Sequence, residues 1–314
     1  MKRWSRRLAL VLLAVIAIIV VRGWAPDIAV DELSAKWAPP PSQFIELDGL
    51  RVHYRDVGPR DDPTPLVLMH GTSASLHTWE GWVAELSKRH RVVTFDLPGF
   101  GLTGGYPDGD ASVTHSLHTL TALFDALHLQ HIVLVGNSYG GRIAWEFALA
   151  HPERLHRLVL VDASGYPRES TSVPLGFRML AWPGISLIRD YILPRSVVER
   201  SVRSVYGDPS KVTDALVDRY YALQRREGNR RALVQRMEQV PLVGDVARLK
   251  SLQVKTLILW GAKDGLIPPD SAKRFDEDIP DSTLVMFDAL GHVPHEEDAP
   301  STARALEAFL DETR

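Results

Sequence analysis

Short apolar runs alternate along most of this chain with stretches in which apolar residues recur every three or four positions. Leu66–Met69, Arg91–Phe95, Ile132–Val135, Leu158–Val161, Val254–Trp260 and Ser282–Phe287 are rich in β-branched and aliphatic residues and predict buried strands. Between them, Thr78–Lys88 puts Trp79, Trp82, Val83 and Leu86 on one helical face. Helices are likewise predicted from Ser112 to Leu127, Gly140 to His151, Pro269 to Ile279 and Ala299 to Asp311. Two further strands, Phe44–Leu47 and Arg51–Asp56, precede the series and join through Asp48-Gly49, a hairpin signal. Strand–helix alternation of this kind predicts an α/β fold, a mostly parallel sheet with helices on both faces.

The pattern breaks from Gly165 to about Lys250. No strong strand run occurs there, prolines recur, and the intervening segments look helical. The chain therefore divides into core at 44–164 and 251–314, with a helical insertion at 165–250. The insertion holds 15 Lys/Arg against 9 Asp/Glu, whereas the whole chain carries a net charge of −3. Its surplus reads first as a solvated face and second as a face toward an anionic membrane. The overall charge gives no footing for a nucleic-acid partner. With no cysteine in the chain, disulfides and thiolate chemistry are excluded.

The N-terminus changes the picture. Lys2, Arg3, Arg6 and Arg7 precede an apolar run from Leu8 to Val21, with Trp4 and Trp24 outside it. The run alone is about 21 Å long as a helix; counted between the tryptophans it reaches about 30 Å, a bilayer core. Residues 1–24 are thus expected to be an uncleaved membrane anchor, with the remainder outside the cytoplasm, or else a signal removed on secretion. Residues 25–43, with Pro39-Pro40-Pro41, are expected to be a stiff linker.

Candidate chemistry centres on Gly136-Asn137-Ser138-Tyr139-Gly140, between a strand and a helix. A reversal that tight strains the central residue, and the flanking glycines remove the Cβ atoms that would block it. Ser138 is thereby lifted above the sheet edge at a helix N-terminus, which favours developing negative charge. A serine needs a base and the base an orienting acid. His292, after the last strand, is the candidate base, and Asp264, after the strand before it, the candidate acid, with Asp162 in reserve. The N–H groups of Tyr139 and Thr72 are the candidate oxyanion donors. His70 reads as structural. Phe177, Met179, Trp182, Tyr191 and Ile192 are candidate pocket residues or ordinary packing.

His70-Gly71, Asp96-Leu97-Pro98-Gly99-Phe100-Gly101, the serine pentapeptide, Gly261-Ala262-Lys263-Asp264 and Gly291-His292-Val293-Pro294-His295-Glu296 occur in the order of the landmarks of the α/β-hydrolase superfamily. From about Phe44 onward the chain resembles that superfamily. The resemblance implies an eight-stranded sheet, a helical cap after the sixth strand and no cofactor. Asn137 before the serine and Gly140-Gly141 after Tyr139 are similar to hydrolases that cut carbon–carbon bonds in ring-cleavage products. Those relatives usually have a glycine-proline oxyanion loop and a Trp after the histidine, where this chain has Thr72-Ser73-Ala74-Ser75 and Val293. With its apolar N-terminus the chain also resembles anchored monoacylglycerol-lipase-like relatives. The expectation is therefore a serine hydrolase of moderately apolar or lipid esters, held at the membrane by its N-terminal segment. A carbon–carbon hydrolase of ring-cleavage diketones and a catalytically silent ligand-binding member are the alternatives.

Overall fold

The computed structural model describes residues 7, 21–47, 49–180 and 189–312. Eight strands form one sheet: β1 (Gln43–Leu47), β2 (Leu50–Val57), β3 (Leu66–Met69), β4 (Val92–Phe95), β5 (Ile132–Asn137), β6 (Leu155–Val161), β7 (Thr256–Gly261) and β8 (Ser282–Phe287). Their spatial order is β1-β2-β4-β3-β5-β6-β7-β8. β2 pairs antiparallel with β1 and with β4, and every other neighbour is parallel. The expected α/β-hydrolase fold is the observed one.

The two-residue period of the strands sorts their side chains between two cores. Leu66 and Leu68 of β3 and Val133 and Val135 of β5 face one core, closed by Trp79, Trp82, Leu306 and Phe309. Val67, Met69, Ile132 and Leu134 face the other, closed by helices Val113–Ala126, Tyr139–Ala150 and Asp270–Asp278. The Trp82 indole N–H donates to Thr302 Oγ1 at 2.8 Å, so even this buried polar atom is satisfied. All six residues of β5 are buried, which explains its near-continuous apolar run at the centre of the sheet.

Between β6 and β7 the chain forms helices Leu175–Leu180, Arg195–Arg203, Asp214–Gln224 and Asn229–Gln239. The stretch expected to be a linker is different: Val30–Trp37 is a helix. It docks because Leu33 is buried with Leu102 and Leu223, while Asp27 pairs with Arg230. Arg230 is 203 residues from Asp27, and the leucine partners are also distant, beyond any local pattern. Of the expected hairpin turn, Asp48 lies outside the described residues, and Gly49 takes a positive φ of 79°.

The expectation of a membrane-anchored protein with its catalytic domain outside the cytoplasm is corrected. Among the described residues no helix is long and apolar enough to cross a membrane. Of the run that prompted it, only Val21 is among the described residues.

A cluster of buried histidines gives the fold a pH dependence. Burial pushes the His77 imidazole down to about 4 from its ordinary 6.5, against the opposing pull of the Asp96 charge. A neutral histidine of this kind stabilises fully above pH 6.5. As pH falls from there toward 4, the unfolded chain takes up a proton that the folded one refuses, and the contribution is lost at up to about 1.4 kcal/mol per pH unit. Thermal melts across that window should show a shallower loss in His77→Gln than in the unsubstituted chain; equal slopes would refute the assignment.

Candidate active site

Parallel strands bring their C-terminal ends to one edge, and the candidate residues all follow such ends. Met69 pairs with Gly136, Asn137 with Val161, and Val161 with Leu259, so the following loops start at the same level. Ser138 has φ 55° and ψ −115°, a left-side conformation that costs a non-glycine residue about 1–3 kcal/mol. The surroundings hold it there. Its N–H donates to Val161 O, and its carbonyl accepts from Arg142 and Ser164, each at 3.0 Å. A Cβ on Gly136 would stand 2.3 Å from Gly140 O, and one on Gly140 2.6 Å from His70 O and Met69 O. The spacing read from the sequence is thus a steric requirement.

His292 and Asp264 meet. His292 Nδ1 lies 2.7 Å from Asp264 Oδ2, both side chains buried. Asp264 Oδ1 accepts from the N–H groups of Leu266 and Ile267 at 2.8 and 2.9 Å, which aims the other oxygen at the imidazole. Ser138 and His292 line the same cavity, and no hydrogen bond joins them directly in this structure. Contacts of that kind commonly tighten only when substrate is bound.

The reserve acid, Asp162, does not contact His292 by hydrogen bond. Its Oδ1 accepts from Gly261 N–H at 3.0 Å, and its Oδ2 is buried with no partner. Asp162, Asp264 and His292 each bring a polar atom within 4.8 Å of the others'. Burial, reinforced by the Asp264 charge, pushes the Asp162 carboxyl well above the ordinary carboxylate range.

Thr72 and Tyr139 both line the cavity, with Tyr139 opening its helix. Gly71 lies against the serine, where a Cβ would be 3.0 Å from Ser138 Cβ. His70 is structural, as expected. Its Nδ1–H donates to Gly71 O at 2.7 Å, and its Nε2 accepts from Leu97 N–H at 3.0 Å. Asp96 secures the loop that follows, taking the N–H groups of Leu76 and Leu102 and pairing with His53 at 2.7 Å. Gly101 is needed there because any Cβ would strike the Asp96 carboxylate.

Two positioning roles, those of Asn137 and Glu297, are not visible in the sequence. Asn137 Nδ2 donates to Val161 O and to His292 O, tying the serine strand to the histidine loop. Glu297 takes the N–H groups of Gly207, Asp208 and Gly291 at 2.8–2.9 Å, joining that loop to the segment above it. Only the glycines at 207 and 291 leave room for this crossing, and they are far apart in sequence. Glu297→Gln turns an amide N–H₂ toward backbone donors and should cost about 1–3 kcal/mol. Urea unfolding measures it; an unchanged midpoint would show that the bonds contribute nothing.

The cavity at this edge has a volume of about 660 Å³ and is mostly apolar. Phe177, Met179 and Ile192 line it; Tyr191 is instead exposed and stacks on Trp24, and Trp182 lies outside the described residues.

The chain is 30% identical over 283 residues to 2-hydroxy-6-oxo-2,4-heptadienoate hydrolase of Pseudomonas putida, covering 85% of this chain and 95% of that one. The structure of the meta-cleavage product hydrolase of Pseudomonas fluorescens IP01 superposes with a TM-score of 0.75 at 26% identity, over 87% of this chain and 98% of that one. The structure of a membrane phospholipase A gives 0.74 at 26% identity, over 99% and 98%. The P. putida enzyme and other sequence relatives are named as hydrolases of 2-hydroxy-6-oxo-dienoates and of 2-hydroxymuconate semialdehyde, and this corrects the ester-hydrolase expectation. What stands is a hydrolase on an α/β scaffold. A family model, the alpha/beta hydrolase fold, matches residues 64–299, and with the sheet order and the serine elbow already described, the chain belongs to that family.

Proposed function

We propose that this chain hydrolyses a carbon–carbon bond in a 2-hydroxy-6-oxo-dienoate, a ring-cleavage product. The observation that carries the reading is the 30% identity over 95% of the P. putida enzyme's length. The site's chemistry suits it. Ser138 is the nucleophile toward the 6-oxo carbonyl carbon, His292 takes its proton, and Asp264 holds the imidazole in the tautomer that presents the other ring nitrogen. The oxygen of the resulting tetrahedral adduct is held by the N–H groups of Tyr139 and Thr72.

Collapse of the adduct breaks the bond to the neighbouring chain carbon, and the electron pair leaves on that carbon. Conjugation spreads it toward the oxygen at the 2-position once the dienol has become its keto form. His292 returns the proton to the leaving fragment, and water, activated by the same base, then releases the acyl group from Ser138 as a carboxylic acid. The segment 165–250 acts as the cap over the site, with Phe177, Met179 and Ile192 against the conjugated chain.

The test is consumption of 2-hydroxy-6-oxo-2,4-heptadienoate, followed by loss of the dienolate absorbance, beside a nitrophenyl ester series. Turnover of the dienoate with formation of acetate supports the reading. Turnover of the esters with the dienoate untouched overturns it.

A further inference from the structure

Six arginines line the cavity, and they are not alike. Arg142 pairs with Glu146 at 2.9 Å, Arg189 with Asp190 at 3.1 Å, and Arg230 with Asp27. Arg178 is exposed, where water solvates its charge. Arg168 and Arg236 are the other two. Both are half-buried, and among the described residues neither has a carboxylate within ion-pair distance.

Arg236 is the more constrained. Its guanidinium carbon lies 4.5 Å from the centre of the Tyr139 ring and 5.9 Å from that of Phe100, within cation–π reach of both. Its Nε is buried with no hydrogen-bond partner. Arg236 lines the same cavity as Ser138 and His292. Arg168 follows β6 and lies within electrostatic reach of Asp264, whose charge opposes the effect of its burial. A guanidinium partly withdrawn from water without a paired counter-ion is unfavourable, and two of them in one mostly apolar cavity are matched by a ligand bringing two negative charges.

Resting on the ring-cleavage reading, we propose that the substrate is a dicarboxylate, a ring-fission dienoate with a carboxylate at each end, and that Arg236 and Arg168 are its two anchors. The planar fork of each guanidinium offers paired N–H donors that fit a carboxylate bidentately. A substrate with one carboxylate leaves one of these cations bare, and the difference between the two substrates is the specificity.

The experiment compares kcat/KM of the full chain for 2-hydroxy-6-oxononadienedioate and for 2-hydroxy-6-oxo-2,4-heptadienoate, in the unsubstituted protein and in Arg236→Met, Arg168→Met and Arg236→Lys. The expected result is a preference for the dioate of at least about tenfold, carried mainly in KM and lost in either methionine variant. Arg236→Lys, which keeps the charge without the fork, should retain part of it. Equal kcat/KM values, a preference for the monoacid, or variants that slow both substrates alike would overturn the proposal. If neither dienoate is consumed, the ring-cleavage reading fails separately. Calorimetry with pimelate and hexanoate then decides the charge reading: tighter binding of pimelate, abolished in Arg236→Met, sustains it, and equal affinities overturn it.

Discussion

Ser138→Ala should lower kcat on the dienoate by roughly 10⁴- to 10⁶-fold while leaving substrate affinity and thermal stability nearly unchanged. The cavity walls do not depend on the hydroxyl, and the strained backbone at φ 55° is held by Val161, Arg142 and Ser164 through main-chain bonds that alanine keeps. The loss therefore isolates chemistry from folding. Single-turnover kinetics with mass spectrometry provide the check, because the unsubstituted protein should pass through an acyl group on Ser138. A variant that keeps more than about one-hundredth of the activity would show that water, not Ser138, attacks the carbonyl.

Asp264→Asn should cost about 10⁴-fold in kcat, and Asp162→Asn far less. At Asp264 the carboxylate accepts three hydrogen bonds at once, from Leu266, Ile267 and His292. An amide there must turn its N–H₂ either toward two backbone donors or toward the ring nitrogen, and the second choice forces the wrong imidazole tautomer. Burial and the Asp264 charge both push the Asp162 carboxyl up and favour its uncharged form. Asparagine there matches the shape of that uncharged form and keeps the acceptor for Gly261 N–H. Steady-state kinetics on the two variants give the comparison. If Asp162→Asn proves the more damaging, the orienting role moves to Asp162.

Elements whose information is local could be read before folding was considered. β3 and β8 run over the residues expected from their apolar runs, and the helix at Ala299–Asp311 also ends where its pattern does. Ser112 caps its helix by accepting from His115 N–H. Other boundaries moved by a few residues: Thr78–Lys88 became a 3-10 turn from Leu76 followed by Glu80–Leu86, and β6 began at Leu155. Periodicity weakens at element ends, where hydrogen bonding across the sheet decides which residue is last.

The helix at Val30–Trp37 shows the opposite case. Eight residues beside a proline run carry little signal, and the segment is helical because Asp27 and Leu33 find partners in the insertion and beside β4. The bridging roles of Asn137 and Glu297 escaped notice for the same reason: each joins segments far apart in sequence.

By itself, the sequence determined the strand–helix alternation, the serine elbow with its two glycines, and the order of serine, acid and histidine. These are set by side-chain period and by steric demands within a few residues. Only the tertiary structure decided which of two buried acids meets His292, and which arginines in the cavity lack a counter-ion. Both depend on charges and donors brought together across the sheet edge, where the distance in space is a few ångströms and the separation along the chain runs from 28 residues for Asp264 and His292 to 97 for Arg236 and Tyr139.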